Sequence, residues 1–113
     1  MTPFDVVLLP FPFTDSTTTK QRPCLMLASI RRAGTAEQCV VAMVTSQMNG
    51  YSLPGDTQLA KWQEAGLLKP SLVRLAKIVT LERSLIRKRL GRIAATDQKS
   101  IRKQFRLLFA DLL

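Results

Sequence analysis

Short apolar runs alternate with polar loops along this chain, at spacings that predict strands first and one helix last. Residues 6–9 (Val-Val-Leu-Leu) form a near-continuous apolar run, the pattern of a strand buried in a small barrel or sandwich. Pro10 and Pro12 cannot donate to a ladder, so this strand must bend or lie on an edge as it ends, with Phe11 and Phe13 packing on either side of the bend. A second apolar run predicts a strand over 23–30 with a turn at 31–34, and 38–45 (Gln-Cys-Val-Val-Ala-Met-Val-Thr) predicts a third. Connections this short favour an antiparallel meander over a parallel sheet, which needs long crossovers. Asn49-Gly50 and Pro54-Gly55 punctuate a loop over 46–55. Residues 57–65 read as a short strand passing into a helical turn around 61–64, capped by Gly66 in the left-handed conformation. Residues 71–81 return to strand, and the basic stretch 84–93, broken by Gly91, predicts a turn and an edge strand.

The last element is a helix. Thr96 is placed as its N-cap and Asp97 suits the positive helix start. Ile101, Phe105, Leu108, Phe109 and Leu112 fall on one face, with Lys99, Arg102, Lys103 and Arg106 away from it. The apolar stripe is expected to pack on the strands, and a membrane-surface helix is the alternative use for it.

Between the first two strands lies a polar loop, 14–21, with four threonines, a serine and no glycine, leading directly to Arg22. Its amides and hydroxyls can close local turns or hold an anion such as a phosphate. Charge strengthens the second reading. Seventeen Lys and Arg against eight Asp and Glu leave a net +9, which asks for a polyanionic partner: RNA, DNA or an acidic protein. An anionic membrane surface fits the charge equally well but needs an amphipathic anchor whose apolar face is free. No run of about 18 apolar residues offers a transmembrane span. The first positive side chain is Lys20, so the start of the chain lacks the basic region of a signal peptide. Cys24 and Cys39 lie inside apolar runs and read as buried, reduced thiols of a cytoplasmic protein. With two cysteines and no histidine, no dedicated zinc site and no cofactor are expected, and any acid–base chemistry must proceed without imidazole. At 113 residues, one domain over 1–113 can bury a single core.

Four pieces then coincide in order and spacing: 5–11 (Asp-Val-Val-Leu-Leu-Pro-Phe), 20–27 (Lys-Gln-Arg-Pro-Cys-Leu-Met-Leu), 44–47 (Val-Thr-Ser-Gln), and 66–74 (Gly-Leu-Leu-Lys-Pro-Ser-Leu-Val-Arg) followed by 77–80 (Lys-Ile-Val-Thr). Together they make the chain resemble the MazF/PemK toxins of bacterial type II toxin–antitoxin systems along nearly its whole length. The resemblance implies a mainly β fold, an SH3-like antiparallel β-barrel with a C-terminal α-helix, usually a homodimer. It implies a metal-independent, ribosome-independent endoribonuclease (an mRNA interferase) acting on single-stranded RNA. It also implies restraint by a cognate antitoxin whose C-terminal segment covers the RNA site, with operator DNA reached only through the antitoxin complex.

The family's catalytic arginine, before the proline that opens the second strand, matches Arg22. Its catalytic threonine matches Thr45, and Gln47 completes the Thr-x-Gln pattern. Thr17, Thr18, Lys20, Ser46, Gln47, Ser71 and Arg74 are the expected substrate contacts. Two departures stand out. Phe4 occupies the place of the glycine that usually precedes the strand-one aspartate, and the first loop lacks the glycines and the acidic residue often found there, with Asp15, Thr17 and Thr18 in that region.

The chemistry such residues support is attack of a ribose 2′-hydroxyl on the adjacent phosphate. A guanidinium grips the phosphoryl oxygens in a bidentate way and keeps its charge at any working pH. Thr45 would hold a phosphate oxygen or the 2′-hydroxyl, helped by Ser46. Read without the resemblance, Arg22 is a surface arginine at a strand start and Thr45 a strand-end hydroxyl capping the next turn. Ser71 and Arg74 equally suit the loop and the barrel rim, and the basic cluster 83–92 suits a solvated face. Trp62 is a base-stacking candidate, or a buried or interface residue. The rival to an enzyme is a non-catalytic module of the same fold: a nucleic-acid binder, a gyrase-poison-like relative or an autoregulator acting with its antitoxin.

Overall fold

Apolar runs without polar alternation become strands covered on both faces, and that is what the first three do. The computed structural model describes residues 1–10, 20–48 and 50–113. Its strands are β1 (Asp5–Pro10), β2 (Gln21–Ile30), β3 (Gln38–Thr45), β4 (Asp56–Gln58), β5 (Leu72–Glu82) and β6 (Lys88–Arg92). One helix, α1 (Ala95–Leu108), follows. The strands form a single antiparallel sheet in the order β4-β5-β3-β2-β1-β6. β1, β2 and β3 make the expected meander. β2 begins two residues before the expected Pro23, which brings Arg22 into the ladder. Gly91 lies inside β6 and does not break it. The loop over 14–21, and with it Thr17 and Thr18, lies outside the described residues except at its end.

Two apolar clusters explain the unbroken runs. Val6, Leu25, Ala42, Val44, Val73 and Leu75 face one side and pack with Leu59, Ala65, Leu67, Ile93 and Ile101. Val7, Leu9, Cys24, Met26, Cys39 and Val41 face the other. Neighbouring residues such as Val6 and Val7 thus serve different clusters, and a strand with no polar face results. Burial raises both thiol pKa values: Cys24 with a further push from Cys39, Cys39 against the opposing pull of Arg83.

β5 carries both kinds of pattern. Leu72–Leu75 is buried throughout, whereas 76–82 alternates exposed and half-buried positions. The change falls where the pairing with β3 jumps from Met43↔Arg74 to Ala42↔Ile78. Such an irregularity bends a strand and increases its twist.

The sheet stays open, so the closed barrel expected from the sequence is not formed. The turn over 60–67 stands between the two edge strands in place of a ladder. Gly66 adopts φ 81°. Its N–H donates to the Gln63 carbonyl (3.0 Å) and the Leu67 N–H to the Trp62 carbonyl (3.2 Å), the bond pair of a Schellman closure. The Ala65–Gly66 backbone lies directly on Leu90–Gly91 of β6: a Cβ on Gly66 would collide with the Leu90 carbonyl, and one on Gly91 would fall 2.6 Å from the Ala65 carbonyl oxygen. Glycine at both positions is what allows the contact. Trp62 is half-buried against the Val6–Ile101 cluster, and it does not line the cleft described below.

α1 starts earlier than its sequence signals predict. Ala94 is the N-cap, with no side-chain capping bond, and Thr96 lies in the first turn. The cause is tertiary. Asp97 is 3% exposed, and its two carboxylate oxygens accept the Ala60 and Lys61 amides, each at 2.9 Å. The helix start is set by this tie to the turn, not by a local cap. The predicted stripe packs in part, through Ile101 and Leu108. Ile101 is buried and Leu108 half-buried, but Phe105 is 38% and Leu112 82% exposed.

The N-terminal segment is pinned to β6. Phe4 has φ 72°, a left-handed conformation that costs a non-glycine residue about 1–2 kcal/mol. Its N–H donates to the Met26 carbonyl and its own carbonyl accepts from Ile93, both at 2.9 Å, and its ring lies 4.7 Å under the Arg102 guanidinium. These contacts hold a conformation that glycine would adopt freely. Next to it, Asp5 is 5% exposed and accepts from the Thr2 amide (2.9 Å), Arg89 Nε (3.1 Å) and Arg92 Nη1 (3.2 Å). Burial opposes ionisation of Asp5, but the Thr2 amide and the two guanidinium groups outweigh it and hold its pKa below the usual value.

Two measurements test these contacts. Gly66→Ala should lower stability in urea titrations by about 3 kcal/mol or more, because it adds a backbone collision to the strain of positive φ. Gly34→Ala, at the same φ of 81° with nothing within 4 Å, should cost only about 1 kcal/mol, and equal losses would contradict the packing of the turn on β6. Because the folded pKa of Asp5 is lowered, its stabilisation is fully present above the unfolded value of about 3.9 and is lost as pH falls through the folded value. Asp5→Asn should therefore remove about 1–3 kcal/mol at pH 7 and flatten the acid limb of the stability–pH curve below about pH 4.

Candidate functional site

Strand register assembles the site. β2 and β3 pair as Cys24↔Met43 and Leu25↔Ala42, and continuing that register by two residues sets Arg22 opposite Thr45. On the outer sides, Leu9 pairs with Arg22 and Leu72 with Thr45, and Leu72 also pairs with Gln58. One row of residues therefore crosses β1, β2, β3, β5 and β4, with Arg22 and Thr45 side by side at its centre. Directly opposed residues project from the same face, with Cβ atoms about 4.5–5.5 Å apart.

A cleft of about 580 Å³ opens over this pair. Arg22, Thr45, Ser46, Gln47 and Ser71 line it, together with Gln21 and Pro23 at the start of β2 and Gly66–Lys69 from the turn between the edge strands. Val44 of β3, Lys88 and Leu90 of β6 and Leu8 of β1 complete the described lining. Among the described residues its charged lining is Arg22, Lys69 and Lys88, all cationic. The site thus draws on four strands and one turn, and much of its wall comes from the segment packed between the sheet edges.

Within the cleft, the hydroxyl groups are already oriented. Thr45 is 7% exposed, and its Oγ1 accepts the Gln47 amide (3.1 Å). The bond closes the turn after β3, as expected of a strand-end hydroxyl, and it leaves the Thr45 O–H able to donate into the cleft. Ser71 is buried and its hydroxyl donates to the Lys69 carbonyl (2.8 Å), which shapes the 69–71 corner and ties down one of the cationic residues. Ser46 and Gln47 are exposed at the cleft edge.

Two expected contacts fall elsewhere. Lys20 is exposed and is not among the cleft-lining residues. Arg74 is buried outside the cleft: its Nε and Nη2 donate to Asp56 (3.1 Å each), and Nη2 also donates to the Tyr51 carbonyl (3.0 Å). Its guanidinium lies 5.1 Å from the Tyr51 ring centroid. Arg74 organises the 51–56 segment. Lys69 and Lys88 were not picked out by sequence reasoning, although Lys69 lies in the motif 66–74 and Lys88 in the basic cluster 83–92. Nothing in either stretch told a cleft cation from a solvated one.

Among the described residues no three His, Cys, Asp or Glu side chains gather as a metal-ligand set. The donors that the cleft offers are guanidinium, ammonium, hydroxyl and amide groups, all suited to an anionic, hydrogen-bonding ligand.

Comparison with known proteins agrees with the resemblance in the motifs. The sequence model of the PemK-like, MazF-like toxins of type II toxin–antitoxin systems matches residues 2–109, and the chain belongs to that family. Among solved structures, the chain is similar to an endoribonuclease in complex with its cognate antitoxin from a mycobacterial species, with a TM-score of 0.70 and 15% identity over 97% of this chain and 95% of that one. It is also similar to the Mycobacterium tuberculosis toxin MazF-mt6, with a TM-score of 0.69 and 17% identity over 94% of this chain and 96% of that one. At these identities the likeness is one of fold. No curated protein matches at the level of sequence.

The two arginines should separate cleanly in thermal and urea unfolding. Arg74→Ala leaves the half-buried Asp56 carboxylate without its guanidinium and should cost about 3 kcal/mol. Arg22→Ala, in the cleft wall, should stay within about 0.5 kcal/mol of the wild type. A large loss for Arg22→Ala would make it a structural residue.

Proposed function

We propose that this chain is the toxin of a type II toxin–antitoxin pair and a metal-independent endoribonuclease that cuts single-stranded RNA at short sequences. The observation that carries this reading is that Arg22 and Thr45 line one cleft, whose charged residues among those described are all cationic. The family and the endoribonuclease among its structural relatives support it.

The cleft fits RNA cleavage through the 2′-hydroxyl. That oxygen gives up its proton to solvent and bonds to phosphorus as the bond to the 5′-oxygen breaks, and the departing oxygen takes a proton from solvent, which yields a cyclic phosphate and a free 5′-hydroxyl. Negative charge gathers on the non-bridging oxygens, where Arg22 supplies two parallel N–H donors and a permanent charge. The Thr45 O–H, oriented by the Gln47 amide, donates to a phosphate oxygen or holds the 2′-hydroxyl, with Ser46 beside it. Lys69 and Lys88 line the same cleft and attract the flanking phosphates. Among the described residues the lining holds no imidazole and no carboxylate, so in this reading most of the acceleration comes from positioning and charge stabilisation.

The net charge of +9 suits both an RNA and an acidic antitoxin segment laid over the same cleft. The chain acts as one toxin domain in the cytoplasm, as a homodimer, and reaches operator DNA only through the antitoxin complex.

Purified protein incubated with a long single-stranded RNA in EDTA should cut it at a recurring short sequence, leaving cyclic phosphate and 5′-hydroxyl ends. Arg22→Ala should slow this cleavage by about 10²–10³-fold, and Thr45→Ala by about 10-fold or more, with Thr45→Ser the milder change. Cleavage that survives both alanine substitutions, or its absence in the wild type, would favour the non-catalytic nucleic-acid-binding reading.

A further inference from the structure

The loop that leaves Thr45 carries an exposed aromatic ring in a braced position. Tyr51 is 65% exposed, whereas Arg74 beneath it is 8% exposed. The Arg74 guanidinium lies 5.1 Å from the ring centroid and donates through Nη2 to the carbonyl of the same tyrosine (3.0 Å). Arg74 is itself held by two bonds to Asp56, and Asp56 Oδ2 also accepts the Leu53 amide (2.9 Å). Backbone and ring of Tyr51 are thus fixed from one side, by a cation–π contact and by main-chain bonds, with the other face of the ring open to solvent.

The position is as specific as the bracing. Arg74 pairs with Met43 and stands two residues along β5 from Leu72, the partner of Thr45. Its side chain therefore leaves the sheet on the face that carries Arg22 and Thr45, and its Cα lies diagonally about 7–8 Å from that of Thr45. An exposed aromatic ring braced over a residue whose backbone lies diagonal to Thr45, on the sheet face that carries Thr45, has the form of a stacking platform. Its order is already present without ligand, so binding loses little conformational entropy.

The geometry points to Tyr51 as a base-stacking residue that seats one nucleobase of the single-stranded RNA next to the cut phosphate. This rests on the endoribonuclease reading and extends it to substrate selection. Every base offers a π face, so the platform fixes where a base sits along the strand, and hydrogen bonds from the adjoining loop are left to choose which base it is.

The test begins with the sequence at which the wild type cuts a long RNA. An oligonucleotide of that sequence, with 2′-deoxyribose at the cut site so that it binds intact, carries 2-aminopurine at each nearby position in turn. One position should lose fluorescence on binding the wild type and Tyr51→Trp, and keep it with Tyr51→Leu. Tyr51→Leu should weaken binding by about 5- to 150-fold. An abasic site at that position should weaken wild-type binding by a similar factor and weaken Tyr51→Leu no further, a coupling that a merely structural loss would not show. Wild-type cleavage with binding and fluorescence unchanged in Tyr51→Leu overturns the platform and leaves the nuclease reading standing. A wild type that neither binds nor cuts single-stranded RNA overturns both.

Discussion

The antiparallel pairing of β2 with β3 is the constraint on which the rest of this molecule depends. Because side chains alternate between faces, the offset that opposes Cys24 to Met43 also opposes Arg22 to Thr45 and keeps both on one face. A slip of one residue would send the two to opposite sides of the sheet. Burial on both faces makes that slip costly: Cys24, Met26 and Val41 would have to exchange places with Leu25 and Ala42, and the two apolar clusters would be dismantled together. The register needed for the candidate chemistry is thus enforced by packing far from it, and the polar pair at the strand ends need contribute little to stability.

The cleft needs a second wall, and an open sheet supplies it in a way that a closed barrel would not. If β4 and β6 paired, the space now held by the 60–67 turn would be filled by ladder. Instead Gly66 and Gly91 let two backbones touch, and Asp97 clamps the beginning of the turn from the first turn of α1. The far end of the same turn carries Leu67, Leu68 and Lys69 into the cleft. The C-terminal helix therefore shapes the candidate site without lending it a residue. Its own apolar stripe is only half used, since the helix is placed by Asp97 and by Ile101 and extends beyond the sheet toward Leu112.

Charge is divided between two tasks. Arg74, Arg89 and Arg92 are bound to carboxylates at Asp56 and Asp5 and hold loops and the N-terminal segment in place. Arg22, Lys69 and Lys88 line the cleft, whose described residues include no acid. In both groups the arginines look alike in composition. What separates them is whether a carboxylate lies within reach, and that is a property of the fold.

The sequence by itself determined much of this protein: the strands, the meander, the C-terminal helix, the left-handed Gly66, the family and the candidate pair Arg22 and Thr45. These were legible because hydrophobic period and turn residues are local, and because motifs keep their order along the chain. The tertiary structure alone decided the rest. An N-cap at Thr96 is the correct local reading, and long-range bonds from Asp97 to Ala60 and Lys61 displaced it. A barrel follows from the resemblance to the family, but whether edge strands meet depends on what fills the gap between them. Of the two readings open for Arg74 the fold gives the loop brace, and Lys88 of the basic cluster lines the cleft, because a charged side chain's partner is chosen in three dimensions. Tyr51 carries no sequence signal that tells a braced aromatic from a loose one; only the buried Arg74 beneath it does.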